Sequence, residues 1–305
     1  MRSMCKDPIA SALRMTAIAA SKPQTPIEAM RRAVAASGVD AIERKLLEAP
    51  QAPCPVVHRF GPGVYIREVL LPAGAVAIGH RQKFAQMNVM LTGRVTIFNE
   101  DGTTSNLVAP MIFTGEPGRK VGYVHEDCVW LNIYATDEKD IETLEATYLD
   151  KSEAFVESKN RLIGLPSPDD GDFIAALNEI GVSRDVVRAQ SDDESDMTEL
   201  PCGGYKVKVA SSLIEGKGLF ATADISPGET VAPMRIGGKR TIAGRYANHS
   251  KTPNAKAVKR AGGDIDLVAA SAIGGCRGGF DGEEITVDYR QVIAENKKEF
   301  ALCQE

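Results

Sequence analysis

The sequence has few residues of the types that build structural metal sites and disulfide frameworks. Its 305 residues include six cysteines and four histidines, and no two cysteines form a CxxC pair. Structural zinc sites need cysteines and histidines at short spacings, so we do not expect one here. Disulfide frameworks are typical of short secreted chains, and the wide spread of these cysteines instead predicts reduced thiols in a reducing cytosol.

The sequence also lacks an excess of positive charge and any long apolar run. A net charge of −5 gives no general attraction to nucleic acid, so we expect no nucleic-acid partner. No stretch reaches the ~18–20 apolar residues that a membrane-spanning helix needs. Pro8 and Arg14 interrupt the only candidate for the apolar core of a secretory signal. These absences predict a soluble, intracellular protein of the cytoplasm with no membrane partner.

The first segment, residues 1–54, is predicted to be helical. Thr25 stands before Pro26, which suits the first position of a helix, and Glu28 follows three residues after Thr25. Gly38 is expected to end this helix, and Asp40 to cap a second one that runs to Glu48. The chain length leaves room for two further domains with cores of their own.

Residues 55–150 are predicted to form a small β-barrel. Short apolar runs alternate with turns rich in Gly, Pro and Asn, and Asp101-Gly102 is a strong hairpin signal. Many short strands at near-regular spacing are typical of a barrel or a sandwich, and Trp130 is expected in the core. The strand candidates are residues 64–70, 87–91, 94–98, 111–113 and 129–134.

Residues 151–200 are predicted to be a helical and acidic linker. Residues 155–161 and 172–180 have helical spacing, and Gly181 is expected to end the second helix. The acidic run at 191–196 has no apolar face, which favours a solvated connection between domains. Such a linker would leave the relative placement of the two domains free.

Three motifs lie in the predicted C-terminal domain, residues 201–295. They are Ile-Glu-Gly-Lys-Gly-Leu-Phe-Ala at 214–221, Arg-Tyr-Ala-Asn-His-Ser-Lys-Thr-Pro-Asn-Ala at 245–255, and Gly-Glu-Glu-Ile-Thr-Val-Asp-Tyr at 282–289. Each alone has an ordinary reading, because a GxG is commonly a turn and an Asn-His-Ser a polar loop. Their conjunction in this order is far more specific.

Together the motifs resemble the SET family of protein-lysine methyltransferases, over about ninety residues. The resemblance implies a SET-type β-fold, S-adenosylmethionine as the cofactor, and a protein substrate that carries a lysine. It further implies that Tyr289 is catalytic and holds the incoming amine. The cofactor-binding residues that it implies are Glu215, Gly216, Lys217, Gly218, Arg245, Tyr246, Asn248 and His249.

The chemistry of methyl transfer explains these residue types. Transfer from a sulfonium to an amine is an in-line displacement, so positioning and charge handling dominate, and no metal is required. Glycines at 216 and 218 would let the backbone approach the cofactor closely, because no Cβ stands in the way. The lysine must be neutral to attack, and a narrow apolar channel would lower its pKa by desolvation.

Two features depart from the family pattern. Only sixteen residues separate Val231 from Asn248, where many members carry an insert that walls the substrate groove. Residues 274–279 are glycine-rich and are expected to form an added flexible loop. An inactive scaffold or interaction protein built on the SET fold therefore stays open beside the enzyme.

Residues 60–148 resemble the cupin family, whose barrels bind metals through histidines and an acidic residue. His80, Gln82, Gln86 and Gly93 fall at the places of the first cupin motif, and Gly118 and His125 near the second. Amides bind transition metals weakly, so we expect no metal and a structural role, for example in a homo-oligomer. A metal-dependent cupin enzyme is the third reading.

The whole chain further resembles bacteriophage proteins in which a cupin-like segment precedes a minimal SET segment, which would place it in the host cell. The fold class is thus predicted as mainly β: a cupin-like barrel followed by a SET-type fold, with a helical N-terminal segment, a helical linker and a tail at 296–305. The target protein and the degree of methylation are not encoded in these motifs.

Overall fold

The computed structural model describes residues 25–99, 103–163 and 171–302. Within them the helices are α1 (Pro26–Leu47), α2 (Ile141–Tyr148), α3 (Glu153–Ile163), α4 (Gly171–Ile180), α5 (Arg184–Asp192), α6 (Ile242–Tyr246) and α7 (Tyr289–Leu302). The first nine strands are β1 (Val56–Gly61), β2 (Val64–Leu71), β3 (Val76–Ile78), β4 (Arg81–Gln82), β5 (Gln86–Asn99), β6 (Thr104–Val108), β7 (Met111–Gly115), β8 (Lys120–Ala135) and β9 (Leu149–Asp150). The remaining strands are β10 (Gly203–Tyr205), β11 (Val207–Ser211), β12 (Lys217–Ala221), β13 (Thr230–Ile236), β14 (Lys239–Arg240), β15 (Asn248–His249), β16 (Ala255–Lys259), β17 (Ile265–Ala269) and β18 (Glu284–Val287). The mainly β fold predicted from the sequence is confirmed.

Helix α1 begins and bends where the sequence predicts. The Thr25 hydroxyl accepts the Glu28 backbone N–H, and the Glu28 carboxylate accepts the Thr25 N–H, which completes a capping box. Gly38 has φ 71° and separates two helical stretches, because a residue in the left-handed region interrupts the helical backbone. The Asp101-Gly102 hairpin signal, the N-terminal residues 1–24 and residues 303–305 lie outside the described residues.

The large sheet is built on two long bent strands, β5 and β8. Irregularities in their pairing between Met90 and Val95 divide the sheet into two halves. Strands β10, β1, β2 and β7 extend one half, and β3 and β6 extend the other. In the described residues the hydrogen bonding follows an open path and does not close into a ring, so the predicted barrel is an open, bent sheet.

The C-terminal part carries two four-stranded sheets. One has the order β11-β12-β18-β15, and the other β14-β13-β17-β16. Strands β15 and β18 run parallel, in register from Asn248 opposite Thr286 to His249 opposite Val287. This pairing brings the second and third motifs side by side, although they are more than thirty residues apart.

The two β-rich parts form one packed body, which the expectation of a free linker did not anticipate. Strand β10 pairs with β1 and so joins the large sheet. The Val56 N–H donates to the Thr222 carbonyl, and the Thr222 hydroxyl donates to the Val56 carbonyl. A single core runs through both parts, from Phe60 and Tyr134 to Leu267 and Ile285. Their relative placement is therefore fixed.

The acidic run at 191–196 is structured, in contrast to the solvated linker predicted for it. Residues up to Asp192 complete α5, and Asp193 caps the short 3-10 turn that follows. The Arg240 guanidinium donates to the Asp196 carboxylate at 2.7 Å. The carboxylates of this run serve as caps and ion-pair partners, which composition alone does not reveal.

The glycine-rich segment 274–279 is held rather than flexible. The Gly275 N–H donates to the Asp224 carboxylate at 2.8 Å, and the Gly278 N–H donates to the Ala52 carbonyl at 3.0 Å. The Cys276 thiol donates to the carbonyls of Cys54 and Thr222. This segment therefore links the end of the N-terminal segment to the C-terminal part.

Candidate functional site

Asn248 joins the first and third motifs. Its side-chain amide donates to the Glu284 carboxylate at 2.7 Å and to the Ser212 hydroxyl at 3.1 Å. It also lies within 3.3 Å of the carbonyls of Glu215 and Lys217. Because one amide has only two N–H groups, these contacts are shared. Asn248 thus fixes the turn of the first motif against β18.

Asn254 closes the second motif onto β18. Its amide donates to the Glu284 carbonyl at 2.8 Å, and its side-chain oxygen accepts the Thr286 N–H at 2.9 Å. A side-chain amide that offers both a donor and an acceptor can continue a strand's hydrogen bonding. The loop between Ser250 and Asn254 is held against the third motif in this way.

A cleft of about 800 Å³ lies where the motifs meet. Eight of the nine residues predicted for the site line it: Glu215, Gly216, Lys217, Arg245, Tyr246, Asn248, His249 and Tyr289. Gly218 does not. It lies in β12, where a Cβ would overlap the Glu284 carboxylate, so its glycine makes room for Glu284 rather than for a cofactor. Gly216 lies in the left-handed region at φ 51°.

His249 connects the cleft wall to the backbone of Tyr289. Its Nδ1 accepts the Tyr289 N–H at 3.2 Å, and its Nε2 lies 3.0 Å from the Asp172 carboxylate. Because Nδ1 accepts a backbone proton, the imidazole proton is assigned to Nε2, which donates to Asp172. His249 is buried, with a side chain 2% exposed. The sequence-based role for His249 as a cofactor contact does not include this link.

Asp172 is itself held by Arg290, the residue after Tyr289. The Arg290 guanidinium donates to Asp172 at 3.2 Å and to Glu179 at 2.5 Å. Hydrogen bonds from Arg290 and His249 hold the pKa of Asp172 below its ordinary value. Helix α4 is therefore hydrogen-bonded both to His249, which contacts the Tyr289 backbone, and to Arg290, which follows Tyr289 in the chain.

The Tyr289 ring lies against His249 and Phe173, with ring centroids 5.3 Å and 6.0 Å away. Within the described residues, no hydrogen bond involves its hydroxyl. Burial, with smaller effects of Glu284 and Glu215, raises the pKa of Tyr289 to about 12. The phenol is therefore protonated at neutral pH and can both donate and accept.

Helices α4 and α5 form one wall of the cleft, which sequence reasoning did not anticipate. Arg184 and Arg188 of α5 donate to the Glu215 carboxylate at 2.6 Å and 2.8 Å. The Arg184 guanidinium also lies over the Phe173 ring, 5.5 Å from its centroid. These partners are about thirty residues apart in sequence, so no local pattern predicts them.

Arg245 brings an uncompensated positive charge to the cleft. Its guanidinium lies over the Tyr246 ring at 5.2 Å from the centroid, a cation–π geometry. Its Nε is buried and lacks a hydrogen-bond partner among the described residues. The Glu284 carboxyl, which Asn248 contacts, has no cationic partner among the described residues, and burial raises its pKa despite hydrogen bonds from Asn248 and Ser212.

The cupin-motif residues do not assemble into a metal site. His80 packs its ring edge against Phe155, and His125 is hydrogen-bonded to the Thr96 hydroxyl at 2.8 Å. Gln82 accepts the Tyr134 hydroxyl proton. No group of three or more His, Cys, Asp or Glu side chains in the described ranges is arranged to hold a metal. No helix in those ranges has the length and apolar character needed to cross a bilayer.

Comparison with known proteins yields similarity in structure only. No protein-family model matches the sequence, and no curated protein matches it significantly. A cupin domain from Bordetella pertussis is similar to 28% of this chain over 95% of its own length, at 21% identity and a TM-score of 0.24. A cupin-2 domain protein from Shewanella frigidimarina matches 31% of this chain over 91% of its own, at 14% identity and a TM-score of 0.23. Ectoine synthase from P. lautus matches 34% of this chain over 83% of its own, at 10% identity and a TM-score of 0.27.

Proposed function

We propose that the chain is an S-adenosylmethionine-dependent protein-lysine N-methyltransferase. The observation that carries the proposal is the cleft, because three motifs from separate parts of the sequence line it together with Tyr289. Its volume of about 800 Å³ falls in the range of about 300–1,000 Å³ that is common for small-molecule sites.

The residues of the cleft suit the cofactor's charges. Arg245 has a buried Nε without a partner among the described residues, which suits a carboxylate. Glu215 and the left-handed turn at Gly216 both line the cleft. When bound there, the cofactor would supply an electrophilic methyl group on a positively charged sulfur. The residues of the chain that would hold it are Glu215, Gly216, Lys217, Arg245, Tyr246, Asn248 and His249.

Tyr289 would position the lysine. A neutral ε-amine would be the nucleophile toward the methyl group that the cofactor supplies, and its nitrogen would become a positively charged methylammonium as the sulfur leaves as a neutral thioether. The Tyr289 hydroxyl is protonated and free to accept one amine N–H, which points the nitrogen lone pair along the line of attack. The carboxyls of Glu284 and Glu215 lie close enough to raise the pKa of Tyr289, and their charge would stabilise the cationic product.

Helices α4 and α5 would serve as the wall for the substrate. They bring the apolar side chains of Phe173, Ile180 and Val187 to the cleft. An apolar wall excludes water from the amine and favours its neutral form by desolvation. A short family insert is therefore compatible with a substrate channel in this chain.

Substitution of Tyr289 tests the proposal. We expect Y289F to reduce methyl transfer to lysine by about 10²-fold or more, since misplacement of a reacting group has this order of cost. S-adenosylmethionine affinity should change little. The readout is methyl-lysine in acid hydrolysates after incubation with radiolabelled cofactor and lysates, with Y123F as the matched control. Equal transfer by Y289F and the parent protein would rule out this role for Tyr289.

A cofactor-free scaffold is the second candidate function. The specific observation in its favour is Glu215, whose carboxylate is already bonded by Arg184 and Arg188. In that reading the ion pairs hold the cleft wall together and no ligand replaces them. Absence of cofactor binding to the parent protein would select this candidate.

The predicted homo-oligomer stays a prediction. Met87 and Ile112 are 46% and 70% exposed, and the strand alternation places them on the face of the large sheet opposite the buried Asn88. An exposed apolar sheet face suits pairing with another protein surface.

A further inference from the structure

A polar row crosses the inner face of the large sheet, away from the cleft. His58 of β1 lies opposite Arg67 of β2, and Arg67 lies opposite Asn132 of β8. Asn132 in turn lies opposite Asn88 of β5. Directly opposed residues share a face, so these four side chains point to the same side as the buried Tyr65 and Val69.

Arg67 is the charged member of this row, and its charge is unpaired. Among the described residues, no carboxylate lies within 4 Å of its guanidinium and no group accepts a hydrogen bond from it. The acid that acts on the Arg67 charge is Glu145. The Glu145 carboxylate is bonded to Lys151 at 2.6 Å, with Lys208 at 3.9 Å.

The second acid of this region is also already engaged. The Asp281 carboxylate lies 2.5 Å from the Lys208 amine and 2.8 Å from the Lys159 amine. Two carboxylates thus serve three lysines, and Arg67 adds a fourth cation. Arg67 is half-buried, and a cation that is partly removed from water without a partner is disfavoured, so this excess of positive charge calls for an anion.

The groups that the Arg67 charge affects lie on the inner face of the sheet. Burial and, next, the Arg67 charge lower the pKa of His58 to about 3 and that of His80 to about 4. The same charge acts on the pKa values of Tyr65 and Tyr134, although burial raises both. The guanidinium therefore faces the histidines and tyrosines inside the sheet.

His58 adds an unmet donor beside Arg67. The only hydrogen bond of the Tyr65 hydroxyl among the described residues is with His58 Nδ1, at 2.7 Å. A buried phenol donates its proton, so Nδ1 accepts and the imidazole proton is assigned to Nε2. His58 Nε2 is buried and has no partner among the described residues. An Arg and an imidazole N–H, both unmet, form a donor set that matches the oxygens of an anion.

We propose that the inner face of the large sheet binds a small oxyanion, a carboxylate or a phosphate-like group, on Arg67 and His58. The guanidinium would hold two oxygens through parallel N–H groups, and His58 Nε2 would donate to one of them. Asn132 and Gln82 border the same face and could select among organic acids by their amides. None of these four residues lines the cleft described above.

Thermal unfolding with chosen anions tests the site. Sodium phosphate, sulfate, formate and malonate are each titrated against chloride at constant ionic strength, with the full chain. We expect at least one anion to raise the Tm with saturation at millimolar concentration, and the arms separate carboxylates from phosphate-like anions. R67Q should lose the shift, and R59Q, which removes an exposed arginine paired with Glu68, should keep it. A shift of equal size in R67Q, or no saturable shift with any anion, would overturn the proposal.

A second measurement needs only the parent protein, in case R67Q does not fold. Crystals grown separately with selenate and with malonate should show anion density within hydrogen-bond distance of the Arg67 guanidinium in at least one case. Selenate is identified by its anomalous scattering, and malonate by its shape. Density for water alone beside Arg67 in both crystals would contradict the assignment.

Discussion

His249 shows how one buried side chain can connect two parts of the candidate site. It accepts the Tyr289 N–H on one nitrogen and donates to Asp172 on the other. Asp172 therefore acts as a positioning residue: it selects the imidazole tautomer that leaves Nδ1 free to accept. The role concerns the orientation of Tyr289 and not direct contact with a substrate.

Substitution of Asp172 tests this role. We expect D172A to lower kcat for methyl transfer on the order of tenfold with little change in the cofactor Kd, because small displacements of a positioning group slow the chemical step. D172N keeps an acceptor for the Nε2 proton and should recover most of the activity. Equal loss in D172A and D172N, or none in either, would contradict the tautomer argument.

The histidines near Arg67 give the protein a predicted pH dependence. In the folded state the pKa of His58 is lowered to about 3 and that of His80 to about 4, from 6.5. The unfolded chain binds protons first as the pH falls, so this stabilisation is complete above about pH 6.5 and is lost towards pH 4 and 3.

Chemical unfolding between pH 7 and 5 measures that dependence with little change in carboxylate protonation. The free energy of unfolding should fall with pH in the parent protein and fall less steeply in the double variant H58Q/H80Q. H125Q is the control and should reduce the slope less than H58Q/H80Q does, because His125 lies nearer the surface, although burial and the Arg94 charge also lower its pKa. Identical slopes in the parent protein and in H58Q/H80Q would show that His58 and His80 do not cause the pH dependence of the free energy of unfolding.

At the scale of elements, the glycine-rich segment 274–279 is a structural joint. A Cβ at Gly275 would lie 2.5 Å from the Ala223 Cα and 2.6 Å from the Asp224 backbone nitrogen. Backbone atoms cannot move aside as a flexible side chain can. The close approach also lets the Gly275 N–H reach the Asp224 carboxylate.

Alanine at this position is therefore expected to be destabilising. G275A should lower the free energy of unfolding by about 1–3 kcal/mol, the usual cost of overpacking. G262A is the matched control, because a Cβ at Gly262 meets nothing within 4 Å, and its effect should stay within about 0.5 kcal/mol. Urea unfolding measures the free energy of unfolding of both variants. Equal values for G275A and G262A would show that the segment shifts to accommodate the added Cβ.

The elements differ in how far the sequence predicts them. The start and bend of α1 follow from Thr25, Glu28 and Gly38, which act within a few residues of one another. The wall formed by α4 and α5 depends on contacts such as His249 with Asp172, which are 77 residues apart. Local spacing carries no information on such pairs, so the composition of residues 151–200 suggested a linker instead.

For the whole molecule, the sequence predicted the two β-rich parts better than the contacts that join them. The motifs at 214–221, 245–255 and 282–289 identified eight residues that line one cleft. The joining of the two β-rich parts through β10 and β1 was not predicted, because strand pairing between distant segments depends on the tertiary fold. The unpaired charge of Arg67 could not be predicted for the same reason, since an unpaired charge is recognised only once its neighbours in the fold are known.

Isothermal titration of the full chain with S-adenosylmethionine, and with its demethylated product, tests most directly whether the cleft binds this cofactor. We predict binding of one ligand per chain, weakened in R245Q and unchanged in R59Q, since Arg245 lines the cleft and Arg59 does not. Absence of binding by either ligand to the parent protein would contradict the claim.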